Sequence, residues 1–141
     1  MSLSTAIKRA YEIKKERNWD SLYFAIDIHG TILKNHYEGL AEEFYPQSIP
    51  TLQYLSSCSE IKLILWSSCR SQDYSTYIDL LKQNNVFVSY FNENPECLDK
   101  GFGSFDKKFY FNVLLDDKAG FEPDEDWKMV EEWVRKFRGD F

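Results

Sequence analysis

Two long apolar segments constrain the fold of this chain more than any other feature. Residues 22–28 and 61–66 are dominated by large apolar side chains, and the first segment contains no charged residue before Asp27. Strands that are buried on both faces have this character in parallel sheets, because helices cover each side. Shorter segments of the same kind predict strands over 86–91 and 109–115. The sequence therefore predicts a central sheet that is mostly parallel.

Helical patterns alternate with these strands. Apolar side chains recur at helical spacing in segments between and around them, and we predict helices over residues 4–18, 49–57, 72–84 and 124–137. Ser4 suits the N-cap of the first helix, and Gly139 suits the C-cap of the last. Strands that alternate with helices predict an α/β fold, here a Rossmann-like three-layer α/β/α sandwich.

Length and composition point to one domain. The chain has 141 residues, of which 43% are hydrophobic and 17% aromatic. This is enough to build a core, and it excludes disorder as the main state. We expect a single domain over 1–141, with an N-terminal helix in 1–20, a core in 21–121 that carries the motifs, and a C-terminal helix in 122–141.

Charge and cysteine content limit the expected partners and location. The formal net charge is −6, so we expect no general nucleic-acid-binding surface. The three cysteines form no CxxC pair, which fits a reducing cytoplasm. No apolar run approaches the roughly 18–20 residues of a membrane span, and we expect no membrane partner. The sequence leaves open whether the chain forms a homo-oligomer.

Chemically active side chains stand at the C-terminal ends of three predicted strands. Asp27 and His29 end the first strand, and Ser67 follows the second. Asp116 and Asp117 follow the fourth. In open parallel sheets these strand ends form the crevice where ligands bind. Carboxylates that meet there repel one another unless a cation is present, and Mg²⁺ accepts carboxylates while keeping positions for water and phosphate.

These residue types suit phosphoryl transfer. An ionised Asp27 could attack phosphorus, because carboxylates act as covalent nucleophiles in such reactions. The hydroxyl of Ser67 and the ammonium of Lys108, just before the fourth strand, could hold the phosphoryl oxygens. Arg70 could clamp a substrate phosphate or equally form an ordinary surface ion pair.

The order of these residues resembles the haloacid dehalogenase superfamily. The resemblance spans roughly residues 22–121 and rests on four motifs, namely Asp27-Ile28-His29-Gly30-Thr31, Ser67, Lys108 and Asp116-Asp117. Each motif alone is common by chance, but four in this order are specific. The resemblance implies a magnesium-dependent phosphatase that forms an aspartyl-phosphate on Asp27.

The resemblance also implies roles for the remaining motif residues. Ser67 and Lys108 are expected to hold the phosphoryl group, with Lys107 as the alternative lysine. The expected Mg²⁺ ligands are Asp27, the backbone carbonyl of His29, Asp116 and Asp117. The expected substrate-binding residues are Gly30, Thr31, Ser68 and Arg70.

His29 departs from the family pattern, in which a second Asp serves as general acid and base. Imidazole, with an unperturbed pKa of about 6.5, can also move protons near neutral pH. Three alternatives stay open: His29 acts as acid and base, turnover is slow, or the protein binds phosphate or a partner without hydrolysis.

The spacing of the motifs indicates what kind of substrate the site accepts. Between Asp27 and Ser67 lie 39 residues, and between Ser67 and Asp116 lie 48, which leaves no room for a folded cap domain. Capless members of the superfamily have open sites. We therefore expect the substrate to be a phosphorylated small molecule or another exposed phosphoester, for example a nucleotide or a polynucleotide end.

Overall fold

The protein is built around one parallel sheet. The computed structural model describes residues 2–34, 43–98, 104 and 108–140. Its strands are β1 (Leu22–Asp27), β2 (Ile61–Trp66), β3 (Tyr90–Phe91) and β4 (Val113–Leu115). All pairings are parallel, in the order β3-β2-β1-β4. The helices are α1 (Leu3–Arg17), α2 (Ser48–Ser57), α3 (Tyr74–Gln83) and α4 (Asp126–Arg138).

The two faces of the sheet pack against different parts of the chain. Leu22, Phe24 and Ile26 of β1 alternate onto one face, where they join a core with buried side chains of all four helices. Tyr23 lies on the opposite face and clusters with Ile64 and with the irregular segment between β3 and β4. Both faces are therefore covered, and the parallel sheet with its flanking helices confirms the predicted Rossmann-like fold. The described residues contain no cap domain.

The predicted helices are confirmed with small shifts at their ends. Ser2, and not Ser4, is the N-cap of α1, because its Oγ accepts a hydrogen bond from the Thr5 N–H at 3.3 Å. Gly139 ends α4 with a φ of 92°, as the sequence predicts. Among the described residues, no helix has both the length and the apolar character needed to cross a membrane.

The strand predicted over 86–91 is wrong for its first part. The first backbone hydrogen bond to β2 comes from the Ser89 N–H, which donates to the Leu63 carbonyl oxygen at 2.9 Å, and the paired register begins at Tyr90. The N–H of Val86 donates to the Leu81 carbonyl oxygen at 2.9 Å, which ties this residue to the end of α3. Phe87 is 59% exposed, so it does not contribute to a buried strand. An apolar run therefore overstates the length of β3.

The strand predicted over 109–115 is wrong before Val113. At Asn112 the side chain takes the place of a ladder carbonyl, because Asn112 Oδ1 accepts from the Tyr23 N–H at 2.8 Å. The Asn112 N–H in turn donates to the Tyr23 carbonyl oxygen at 2.8 Å. Regular pairing starts at Val113, which lies opposite Phe24. A side-chain amide thus competes with the backbone for the same partner.

Candidate active site

Three carboxylates meet at the C-terminal edge of the sheet. Asp27 ends β1, while Asp116 and Asp117 follow β4, which is the neighbouring strand. One carboxylate oxygen from each residue lies within 4.8 Å of the other two, and all three side chains are partly buried. The fold therefore brings together the acidic residues that the sequence predicts as a cation site.

Burial and mutual repulsion disturb the ionisation of Asp27. Loss of solvent raises the pKa of Asp27 to about 7, and the negative charge of Asp116 and a hydrogen bond with Asp117 add to the rise. Hydrogen bonds from the Thr31 hydroxyl and the Ile28 N–H partly oppose it. A divalent cation would relieve the repulsion and favour the ionised form. Three converging oxygen donors therefore fit a hard ion such as Mg²⁺.

Thr31 supports the acidic cluster from inside the protein. Its side chain is fully buried, and its Oγ1 lies 3.1 Å from Asp27 Oδ2 and 3.3 Å from Asp117 Oδ1. The same oxygen accepts from the Asp117 N–H at 3.1 Å. The Thr31 hydroxyl therefore faces the two carboxylates and not the solvent, and its role in substrate binding stays a prediction.

Gly30 also belongs to the supporting loop. It is buried, has a φ of 86° and donates its N–H to the Leu33 carbonyl oxygen at 2.7 Å. A side chain would be strained at this φ. Gly30 therefore shapes the turn that follows Asp27, and its role in substrate binding stays a prediction.

Trp127 of α4 holds the same loop from the opposite side. This residue is fully buried, and its indole N–H donates to the Thr31 carbonyl oxygen at 2.8 Å. The Trp127 carbonyl oxygen accepts from the Thr51 hydroxyl at 2.8 Å. From the sequence, Trp127 is only one of the apolar residues in the helix predicted over 124–137. A buried indole needs an acceptor for its N–H, but nothing in the sequence says which one.

Asn92 holds the end of β2 in place. The Ser67 N–H donates to Asn92 Oδ1 at 2.8 Å, and Asn92 Nδ2 donates to the Ser67 carbonyl oxygen at 2.6 Å. Asn92 adopts a φ of 55°, a conformation that Asn tolerates better than most residues. Its side chain thus continues the ladder past the last β2–β3 pair. Sequence reasoning missed this residue, because an Asn after a strand is usually only a turn signal.

His29 faces the cleft and contacts α3. Its Nε2 lies 3.2 Å from the Tyr77 hydroxyl oxygen, and the two rings meet edge to face with centroids 5.4 Å apart. When Nε2 accepts this hydrogen bond, Nδ1 carries the ring proton. Tyr77 is therefore a further residue that sequence analysis missed, and it sets the orientation of the imidazole.

The cleft contains a lysine that sequence analysis also missed. The cleft has a volume of about 350 Å³, and its described lining is Asp27, His29, Trp66, Ser67, Ser68, Asp116, Asp117 and Lys118. Lys108 lies at a neighbouring apolar pocket. Arg70 is exposed, directly before a short 3₁₀ turn, Ser71–Asp73. Lys107 lies outside the described residues. Among the described residues, Lys118 is therefore the lysine that lines the acidic cleft, and the role of Lys108 stays a prediction.

Comparisons with known proteins bear on the fold. No family model and no curated protein matches this chain. Among solved structures, the chain is similar to a conserved protein coded by a locus from Bacteroides thetaiotaomicron, with a TM-score of 0.63. The two are 24% identical, over 82% of this chain and 91% of that chain. At this identity the likeness concerns the fold, and it supports the Rossmann-like architecture.

Proposed function

We propose that this protein is a phosphomonoesterase that depends on a divalent cation, with Asp27 as its nucleophile. The observation that carries the proposal is the approach of Asp27, Asp116 and Asp117, whose carboxylate oxygens lie within 4.8 Å of one another. Mg²⁺ suits such a set, because it binds few carboxylates and keeps positions for water and phosphate oxygens. The resemblance to the haloacid dehalogenase superfamily supports the same assignment.

Asp27 and His29 carry the chemical steps in this proposal. The three carboxylates and the His29 carbonyl oxygen would hold the cation, whose charge offsets that of the acids and of the phosphate. A carboxylate oxygen of Asp27 attacks phosphorus, and the bond from phosphorus to the leaving oxygen breaks. His29 gives a proton to the leaving oxygen, then takes one from the water that hydrolyses the aspartyl-phosphate.

Ser67 and Lys118 act on the phosphoryl oxygens. Both residues line the cleft with the carboxylates, so a hydroxyl and an ammonium group can donate hydrogen bonds as negative charge develops there. Ser68 lines the same cleft and remains a proposed substrate ligand, as does Arg70. Comparing Lys118→Ala with Lys108→Ala will show which lysine serves the phosphate.

The substrate and location follow from the surroundings of the site. The cleft opens to solvent, and the described residues contain no cap over it, which suits a nucleotide, a polynucleotide end or another exposed phosphoester. None of the three cysteines is in a disulfide, which supports a reducing cytoplasm as the location.

Hydrolysis of p-nitrophenyl phosphate tests the proposal. We expect turnover with Mg²⁺, none with EDTA, and a fall in kcat of about 10³-fold or more for Asp27→Asn, because the nucleophile is removed. Asp79→Asn is the matched control, since it removes the same charge from an exposed position on α3. Full activity in Asp27→Asn would show that the nucleophile is assigned wrongly.

A second candidate function is phosphate or partner binding with weak or no catalysis. Two features of His29 favour it: the residue replaces the usual general acid, and its Nε2 is engaged by the Tyr77 hydroxyl. Mg²⁺ binding in a calorimetric titration, together with no turnover across a broad panel of phosphoesters, would select this alternative.

A further inference from the structure

We infer that the substrate carries a flat aromatic ring near its phosphate, and that this ring binds in a pocket beside the acidic cleft. The inference rests on the proposed function and narrows its substrate class. The pocket, which we call the aromatic pocket, has a volume of about 470 Å³ and is lined by Trp66, Lys108, Phe109, Phe111 and Leu114. This volume lies in the range of small-molecule sites.

Trp66 joins the acidic cleft to the aromatic pocket, because it lines both. Trp66 pairs with Asp27 across β2 and β1, so both side chains leave the same face of the sheet at the same level. Leu114 pairs with Ala25 on that face, two positions before Asp27. A strand rises about 3.3 Å per residue, so two positions span about 7 Å. The pocket therefore starts beside the nucleophile and extends about 7 Å from it along the sheet. A ring joined to phosphate directly or through a sugar spans such a distance.

The arrangement of the lining rings favours an aromatic ligand over an aliphatic one. The Trp66 and Phe109 rings have centroids 5.5 Å apart and are inclined by 58°. The Phe109 and Phe111 rings have centroids 5.8 Å apart and are inclined by 62°. Inclined rings offer both edges and faces, which are the contacts that aromatic groups prefer. Lys108 adds a cation that can lie over the face of a bound ring.

The exposure of Trp66 supports the same conclusion. This side chain is 44% exposed, although the residue before it, Leu65, is buried. A large apolar surface in water is unfavourable, and here it continues into a pocket of further rings beside a polar cleft. Contiguous apolar patches with a polar rim mark binding sites. A ring stacked on Trp66 would cover this surface while its phosphate enters the acidic cleft.

Turnover of matched phosphoesters tests the inference. We would measure kcat/KM with Mg²⁺ for phenyl phosphate, a nucleoside 5′-monophosphate and glycerol 1-phosphate. Phe109→Leu keeps an apolar side chain and removes the ring. We expect the ratio of aromatic ester to glycerol ester to fall about 5- to 20-fold in Phe109→Leu and in Trp66→Ala, because stacking is lost. The ester ratio of each variant is compared with that of the wild type, so differences in leaving-group reactivity between the esters cancel.

The control variant is Phe87→Leu, which makes the same change at an exposed ring that lines neither cavity. We expect it to leave the ratio unchanged. Equal turnover of all three esters in the wild type, or a ratio unaltered in Phe109→Leu and Trp66→Ala, would overturn the inference while the phosphomonoesterase proposal stands. A larger fall in the kcat/KM ratio of nucleotide to glycerol ester identifies the ring as a nucleobase. A larger fall in the ratio of phenyl phosphate to glycerol ester identifies it as a phenyl group.

Binding separates the inference from the proposed function. If no ester is hydrolysed, the phosphomonoesterase proposal fails, and equilibrium binding with Mg²⁺ then decides the inference. Phenyl phosphate bound about tenfold more tightly than glycerol 1-phosphate, with the preference lost in Phe109→Leu, supports an aromatic site. Equal affinities for the two ligands would refute it.

Discussion

Removing the charge of Asp27 should stabilise the protein in the absence of a cation. The pKa of Asp27 is raised from 3.8 to about 7 in the folded chain, first by burial and then by Asp116. Ionisation therefore costs more in the folded state than in the unfolded state. Folding stability falls as the pH rises from about 4 to about 7, and it stays lower above that. Asp27→Asn removes this loss, because the amide is uncharged at every pH.

The size of the effect follows from the pKa change. A rise of about three pKa units corresponds to about 4 kcal/mol if solvent screening is ignored. Because Asp27 is only half-buried, screening reduces the net value, and we expect Asp27→Asn to gain about 1–2 kcal/mol at pH 8. For a domain of this size, that gain raises Tm by roughly 3–8 °C. At pH 5 the gain should be smaller, since the wild-type carboxyl is then largely protonated.

Thermal unfolding followed by circular dichroism measures this difference. Wild type, Asp27→Asn and the control Asp79→Asn would be compared in EDTA at pH 5 and pH 8. Adding Mg²⁺ at pH 8 should raise the Tm of the wild type more than that of Asp27→Asn, because the ion binds the folded state and the variant lacks one ligand. An Asp27→Asn variant less stable than wild type in EDTA at pH 8 would refute the electrostatic reasoning.

Three further predictions concern the contacts that hold the site and the helices in place. Trp127→Phe leaves the Thr31 carbonyl without its donor and should cost about 1–3 kcal/mol in urea unfolding; an unchanged midpoint would contradict this. Asn92→Ala should lower kcat/KM for p-nitrophenyl phosphate about 10-fold with an unchanged far-ultraviolet spectrum, because the Ser67 strand end is no longer held; unchanged kinetics would argue against that role. Burial acts to raise the pKa of Glu60, but hydrogen bonds from Arg138 and others outweigh it and lower the pKa below 4.5. Stability should therefore fall as the pH drops through that lowered pKa, and urea midpoints between pH 3 and 7 should show a weaker fall in Arg138→Met.

The sheet and the acidic cluster were predictable because their signals are local. The continuous apolar runs of β1 and β2 identify buried parallel strands, and in such strands the C-terminal ends share one edge. Asp27 is the last residue of β1, and the pair at 116–117 follows β4 directly in the chain. The topology of a parallel sheet was then enough to predict that these carboxylates meet.

The residues that support the site were not predictable, because their partners are distant in the chain. Trp127 donates to a carbonyl 96 residues away, and Asn92 holds a strand end 25 residues away. Asn112 shortens β4 by bonding to Tyr23, where an apolar run suggests that pairing continues. A hydrogen bond depends on the distance and angle of two particular groups, and no sequence pattern records these. Hydrophobic periodicity thus specifies the layers and the edge where chemistry occurs, whereas only the packed structure shows that Lys108 lies at the aromatic pocket and not in the acidic cleft.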